Sequence, residues 1–255
     1  MMHFFWADSP MSWLRYMTLK TFRDFNPDVP MVLHTTPLTM RATWATSEDD
    51  ENYTGQDWRP EIEALGVTSV PYTPPQPLPP QMACDLCRWD VLAAGGMFAD
   101  MDIIWTRPLP EIEGDGVSCE NGMLRMGLIS GQAGGFFTRV RDLAHQRINL
   151  DAYQSVGTAV MYEIAFGHSL NRFKEARGRD TIAALGLQNI PMEYVHPLTQ
   201  YEMEDGACPS EAYGLHWYGG LAYSAEVSRT MTPENWGTFS GAIPSALRLA
   251  EERMR

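Results

Sequence analysis

Between His3 and His34 the hydrophobic pattern changes period twice, and that change constrains the fold more than any other feature of the chain. Phe4-Phe5-Trp6 is a short continuous apolar run of the kind that forms a buried strand. Leu14, Met17, Thr21, Phe22 and Phe25 then recur at three- and four-residue spacing, which lines one face of a helix. Ser9 as N-cap with Pro10 at the first helical position predicts the helix start, and Asn26-Pro27 predicts its end. Met31-Val32-Leu33-His34 reads as a second strand. Strand, helix and strand in this order make a crossover unit, so the expected fold class is α/β, a mixed and mostly parallel sheet flanked by helices.

The rest of the chain continues that alternation. A third strand is expected at Val67–Val70, followed by the proline-rich segment from Pro71 to Pro80, read as a stiff connection rather than a polyproline ligand for another domain. Met82, Leu86, Trp89 and Leu92-Ala93 have helical spacing, and Gly95-Gly96 suits the left-handed turn that ends a helix. Met97-Phe98-Ala99 and Gly127-Leu128-Ile129 read as strands, Phe136–Ile148 and Tyr153–Phe166 as helices. Met192–Val195 and Leu215–Tyr218 are expected to be late strands, and Pro244–Arg255 a terminal amphipathic helix. Four consecutive acids after Ser47 predict a solvated loop as far as Glu51.

Composition narrows the classes of function. At 255 residues the chain is long enough for one sizeable core, and 44% hydrophobic content with eight tryptophans argues against disorder and for aromatic-lined clefts. A net charge of -13 repels phosphate backbones, so no strong nucleic-acid signal is present; the one modest basic cluster is Arg139, Arg141 and Arg147. No apolar run approaches the roughly eighteen residues of a membrane span, and the N-terminus lacks a basic leader, so a soluble, cytoplasmic protein is expected. Cys84-x-x-Cys87 lacks a matching second pair, since Cys119 and Cys208 stand apart, and the cysteines are assigned no chemistry. No partner protein is evident.

Chemistry concentrates at Asp100-Met101-Asp102, which follows the apolar Met97-Phe98-Ala99. Two aspartates one residue apart at a strand end place two carboxylates at the carboxyl edge of a sheet, where open α/β sheets bind ligands. Carboxylate oxygens are the ligands Mg²⁺ and Mn²⁺ prefer, and Mg²⁺ is commonly shared between one or two carboxylates and substrate phosphates. Upstream, Asp85 and Arg88 stand three residues apart on one helical face. A carboxylate can accept from sugar hydroxyls, and a guanidinium can hold hydroxyls or a diphosphate.

The run from Ala83 through Asp85, Arg88, Trp89, Leu92, Gly95-Gly96, Phe98 and Asp100-Met101-Asp102 resembles the signature of the DxD-containing sugar transferases of GT-A type. That family includes yeast initiating mannosyltransferase, bacterial capsular and lipopolysaccharide enzymes and, more distantly, the clostridial glucosylating toxins. The resemblance implies a GT-A-like fold in one domain. Residues 1–110 would be its nucleotide-sugar-binding half, and residues 111–255 its acceptor side and C-terminal helix.

By the same resemblance, His3-Phe4-Phe5-Trp6 is similar to the family's first strand, where Trp6 would pack on the nucleotide base; Ala7-Asp8 replaces the usual glycine after it. Leu215-His216-Trp217-Tyr218-Gly219-Gly220 is similar to the late strand whose histidine lies near the metal, which assigns His216 a direct or indirect metal role. Where the family commonly carries Ser and Trp after that histidine, this chain has Gly219-Gly220. Ser155-Val156-Gly157-Thr158 resembles the family's Thr-Gly-Pro region near the acceptor.

The implied activity is metal-dependent, retaining transfer from a UDP- or GDP-sugar to an acceptor hydroxyl, on a saccharide acceptor, with Mn²⁺ or Mg²⁺. The implied catalytic residues are Asp85, Arg88, Asp100 and Asp102. Asp102 and Asp100, with His216, would hold the metal. Trp6, Asp85, Arg88, Gly95, Gly96 and Asp100 would form the donor site. Three other readings use the same residues: sugar addition to modified DNA bases, metal-dependent phosphate hydrolysis, and non-catalytic binding of a nucleotide-sugar.

Overall fold

The computed structural model describes residues 1–38, 40, 53–152, 154–168 and 175–255. The acidic segment from Ser47 to Glu51 lies outside the described residues, as does Tyr153.

The strands β1 (Met2–Ala7) and β2 (Met31–Thr36) flank helix α1 (Trp13–Phe25) and pair in parallel from Met2 opposite Met31 to Ala7 opposite Thr36. The helix starts later than the Ser9-Pro10 pattern predicts, because Ser12 is the N-cap and accepts the Arg15 amide through its hydroxyl. Ser9 instead gives its carbonyl to the Trp6 indole N–H at 2.9 Å, which closes the turn leaving β1. Asn26 ends the helix as expected: its side-chain amide returns to the Phe22 carbonyl at 3.0 Å, while its Oδ1 accepts from the Leu109 amide.

The strand β3 (Thr68–Pro71) extends the sheet beside β2, and the proline-rich connection leads into helix α2 (Pro80–Ala94). The helix buries Met82, Ala83, Leu86, Trp89 and Leu92, each at 0% exposure, against the sheet, and Gly95 turns the chain back. The strand β4 (Gly96–Ala99) then pairs in parallel with β1. After β5 (Ile103–Trp105), β6 (Gly116–Glu120) and β7 (Met123–Gly131) form an antiparallel hairpin, β7 against β4 and β6 against a short β8 (Gln188–Asn189). The seven-stranded order is β3-β2-β1-β4-β7-β6-β8, and β5 leaves it to pair antiparallel with β9 (Gly214–His216). The result is the expected α/β architecture: four of the strand pairings in the main sheet are parallel and two antiparallel.

Helices α3 (Phe136–Gln146) and α4 (Thr158–Phe166) cover one face with α2, where Trp89 stacks on Phe137. The C-terminal helix spans Ala242–Met254, with Pro244 tolerated in its first turn. Two expected strands differ. Met192–Val195 is a 3₁₀ turn over Met192–Tyr194, since Pro191 fixes φ at its start. The strand expected to run to Tyr218 ends at His216, because Tyr218 adopts φ 50, a left-handed conformation. Among the described residues no helix is long and apolar enough to cross a membrane.

Candidate functional site

The Asp100-Met101-Asp102 motif occupies the point where the chain leaves one sheet for the other. The Asp100 amide still donates to the Gly127 carbonyl of β7 at 2.9 Å, so the first aspartate is fixed by the main sheet. Buried Met101 follows, its carbonyl held by the Thr18 hydroxyl of α1 at 3.0 Å. Beyond Asp102 the chain enters β5, whose Ile103 pairs with His216 of β9. The Trp217 amide donates to the Asp102 carbonyl at 2.8 Å. That pairing brings a histidine from the far end of the sequence onto two neighbouring carboxylates.

His216 Nε2 lies 3.0 Å from Asp102 Oδ1 and 3.7 Å from Asp100 Oδ2. Asp102 Oδ2 accepts the Gly219 amide at 2.7 Å. Burial alone favours neutral forms of Asp102 and His216, but each stabilises the other's charge, so Asp102 is held well below the ordinary carboxylate range and His216 above the ordinary imidazole range. One ligand atom from each of Asp100, Asp102 and His216 falls within 4.8 Å of the others. For metal–ligand bonds of about 2.1 Å, adjacent donors of an octahedron stand about 3 Å apart, so the three groups fit a small divalent ion without large movement. Their chemistry fits too: two hard carboxylates and one imidazole, which must release its proton to coordinate.

Arg88 comes from α2 and is only 5% exposed. It donates to Asp85 and to Asp100 Oδ1, the latter at 2.5 Å, with its guanidinium 5.1 Å from the Phe98 ring centroid. Burial disfavours its charge, but Asp100 and Asp85 more than compensate and raise its pKa. The guanidinium thus joins the helix carboxylate to the motif carboxylate. Asp85 in turn abuts the N-terminus of α4: a Cβ on Gly157 would stand 2.7 Å from Asp85 Oδ2. Gln154 Oε1 accepts from the Thr158 amide and hydroxyl at the same place. The segment resembling the acceptor region is therefore brought against Asp85.

These groups line a cavity of about 410 Å³, within the size range of small-ligand sites. Trp6, Asp85, Arg88, Asp100 and Asp102 all contribute to its wall, and His216 stands behind Asp102. Trp6 is 8% exposed and contributes to the cavity wall, its indole N–H engaged with the Ser9 carbonyl. Gly95 and Gly96 do not line it. They sit at the opposite end of β4, roughly 13 Å from Asp100 at strand rise, where positive φ values of 95 and 152 and close packing on Ala133 and His3 require glycine. Their contribution is to aim the strand.

The cavity also contains residues that the sequence reading did not select: Arg15, Arg125, Gln154, Tyr162 and Tyr218. Arg15 carried a signal, a cation set among apolar positions of an amphipathic helix. His196 carried none; it is 3% exposed, its ring 4.9 Å from that of His216, and burial followed by the His216 charge keeps it neutral. Gly127 accommodates both rings, since a Cβ there would lie 2.9 Å from each. The four cysteines are free of disulfides, and burial pushes the Cys84 and Cys87 thiols up, leaving them protonated near neutral pH. In the basic cluster, Arg141 pairs with Asp142 and Arg147 with Glu163, which reduces its positive field.

No protein-family model and no curated protein matches the chain by sequence. Solved structures similar in outline include the PaToxG glycosyltransferase (16% identity over 74% of this chain and 80% of that one, TM-score 0.43). The galactosyltransferase LgtC, solved in complex with donor and acceptor sugar analogs, shares 12% identity over 93% and 99% of the two chains at TM-score 0.42. The glycosyltransferase GlyE of Streptococcus pneumoniae shares 10% identity over 94% of this chain and 65% of that one, at TM-score 0.44.

Proposed function

We propose that this chain is a metal-dependent glycosyltransferase that moves a sugar from a nucleoside-diphosphate sugar to an acceptor hydroxyl. One observation carries the reading: three ligand groups converge on the edge of a 410 Å³ cavity whose wall also holds the Asp85–Arg88–Asp100 network. A divalent ion held by Asp100, Asp102 and His216 would supply positive charge where the departing diphosphate gains negative charge. The Gly219 amide fixes Asp102 and leaves its other oxygen toward His216. Arg88 holds Asp85 and Asp100 at a set separation, so that Asp85 can accept from donor-sugar hydroxyls. Trp6, on the cavity wall, would pack on the nucleotide base, the uracil of UDP or the guanine of GDP.

In this reading the transfer retains anomeric configuration, and the leaving phosphate takes the acceptor proton. Residues 1–110 bind the donor and residues 111–255 carry the acceptor side within one domain, with a saccharide as acceptor and Mn²⁺ or Mg²⁺ as the metal. The test is incubation with Mn²⁺ and a panel of nucleotide-sugars. Release of nucleoside diphosphate together with a transferred sugar is expected; release of monophosphate alone would overturn the proposal in favour of phosphate hydrolysis. Asp102→Asn should abolish Mn²⁺-dependent turnover and the rise in melting temperature that Mn²⁺ gives the wild type. If turnover and thermal shift both survive, Asp102 does not hold the metal.

A further inference from the structure

His216 comes from outside the Asp100-Met101-Asp102 motif, and its ring lacks the hydrogen bond that usually orients a metal ligand. A metal-binding imidazole is commonly aimed through its second nitrogen, which donates to a carboxylate or a carbonyl. Here that nitrogen, Nδ1, is sealed from solvent, and among the described residues no group stands within hydrogen-bond reach of it. The other nitrogen, Nε2, meets Asp102 Oδ1 at 3.0 Å. Coordination requires an unprotonated Nε2, so His216 gives up that hydrogen bond when it takes an ion. Neither nitrogen then has a protein partner, and ring packing is what remains to aim the side chain.

That packing is a closed set of three rings. The His196 centroid lies 4.9 Å from that of His216 at an interplanar angle of 55°, and Tyr218 stands edge-on to His216 at 4.5 Å and 82°. His196 and Tyr218 complete the triangle at 6.3 Å. Both flanking rings are tied to residues 195–198. The His216 amide donates to the Val195 carbonyl at 2.6 Å, His196 follows in the chain, and the Tyr218 hydroxyl donates to the Leu198 carbonyl at 3.1 Å. The His196 amide is itself fixed on the Met192 carbonyl at 2.7 Å. Tyr218 reaches its place with a φ of 50, which a bulky residue adopts where its surroundings impose it. Gly127 of β7, whose carbonyl receives the Asp100 amide, faces both imidazoles.

His196 suits that place. It is 3% exposed and anchored through its backbone, and burial first, then the His216 charge, keeps it neutral. It therefore adds a planar ring without setting a second cation behind the ligands. We propose that His196, with Tyr218, is the positioning residue of the metal centre: its ring holds His216 Nε2 toward Asp100 and Asp102 in place of the hydrogen bond that His216 Nδ1 lacks. The inference rests on the metal-dependent glycosyltransferase reading. It gives a role in the site to residues 195–198, which lie far from the motif in sequence.

The test is a double-mutant cycle on Mn²⁺ affinity, followed by the electron paramagnetic resonance of free Mn²⁺ with the full chain, with and without UDP. Loss of a residue that orients a metal ligand weakens metal binding by about 10- to 100-fold, the range expected for His196→Ala. In a His216→Ala background the same change should do nothing further, because the ring it aims is gone. His196→Phe keeps a ring and loses both nitrogens, so it should stay closer to wild type than His196→Gln, which keeps a polar nitrogen and loses the ring. This pair decides the matter if His196→Ala does not fold. Wild-type Mn²⁺ affinity in His196→Ala or His196→Gln overturns the inference. So does an equal loss in both backgrounds, which would make His196 a residue of the fold alone, or a Phe variant as weak as the Gln variant. In each of these cases wild type still binds Mn²⁺ and the metal-dependent reading stands. If wild type takes up no Mn²⁺ under either condition, that reading fails, and this inference with it.

Discussion

Arg88 is the residue on which the site's architecture can be tested without any substrate. Its guanidinium bridges Asp85 and Asp100 from a position 5% exposed, while the two carboxylate side chains are 15% and 22% exposed. Replacing it with methionine keeps much of the apolar stem's volume, so the packing loss is small. What remains is two partly buried carboxylates with their common cation gone. Removing one partner of a buried pair costs about 3–5 kcal/mol. Both carboxylates reach the cavity's solvent, which places the expected loss for Arg88→Met at the lower end, about 3 kcal/mol, including the cation–π contact with Phe98. At about 2–4 °C per kcal/mol for a chain of this size, the melting temperature should fall by about 6–12 °C.

The assay is urea unfolding in metal-free buffer, so that ion binding to Asp100 does not offset the loss. Arg88→Lys should lie between wild type and Arg88→Met, because one ammonium cannot reproduce a fork that meets two carboxylates. Adding Asp85→Asn and Asp100→Asn to Arg88→Met should recover most of the loss, since no uncompensated charge remains. A loss under about 1 kcal/mol with an unchanged urea slope refutes the reasoning, as does a triple variant no more stable than the single one.

Two further perturbations follow from the same geometry. Gly157→Ala would place a methyl 2.7 Å from Asp85 Oδ2 and 2.6 Å from Gln154 Oε1, so donor turnover should fall at least about tenfold with a stability change of about 1–2 kcal/mol; wild-type kinetics would show that Asp85 does not act where α4 meets α2. At the other end of the sheet, His3 Nδ1 and His34 Nε2 stand 2.9 Å apart on neighbouring strands with their rings stacked. Burial lowers both pKa values, and the neighbouring His34 charge adds to the effect on His3, which falls to about 4. The folded values lie below the unfolded value of about 6.5, so the unfolded chain protonates first. Stability is therefore complete above pH 6.5 and declines as pH falls from there toward 4. After discounting for partial exposure, about 1–2 kcal/mol should be lost across that window, and His3→Phe should flatten it in urea titrations at pH 7.5, 5.5 and 4.5. An unaltered slope in that variant would locate the acid sensitivity elsewhere.

What the sequence discloses and what it hides divide along the range of the interactions involved. The opening unit was legible because β1, α1 and β2 each bury one continuous set of side chains, and burial writes periodicity into sequence. The same holds for α2 and β4, whose connection at Gly95-Gly96 needs positive φ at both residues. Element starts were less legible: Ser9-Pro10 and Ser12 are competing caps, and the choice fell to Ser12, whose hydroxyl reaches the Arg15 amide and the Ser228 hydroxyl. Two of the short strands left no trace. β5 has three residues and β8 two, and each exists because a partner strand is present.

The candidate site follows that division and explains why it was half visible. Asp85, Arg88, Asp100 and Asp102 lie on consecutive elements, so their spacing is local and their meeting follows from a helix packed on the next strand. His216, which the resemblance named, and Arg15 and His196, which nothing named, reach the same place only through the pairing of β5 with β9 and the packing of α1 beneath it, contacts between residues more than 80 positions apart. The junction between the two sheets is what makes the convergence possible. A strand continuing straight past Asp100 would keep Asp102 in register with β7, out of reach of β9. Because the chain turns at Met101 and changes partner, the second carboxylate meets the histidine strand while the first stays with the main sheet. The ligand set is therefore held by two independently fixed pieces of backbone, and its geometry depends on the packing of Met101 and Thr18 between them as directly as on the ligands themselves.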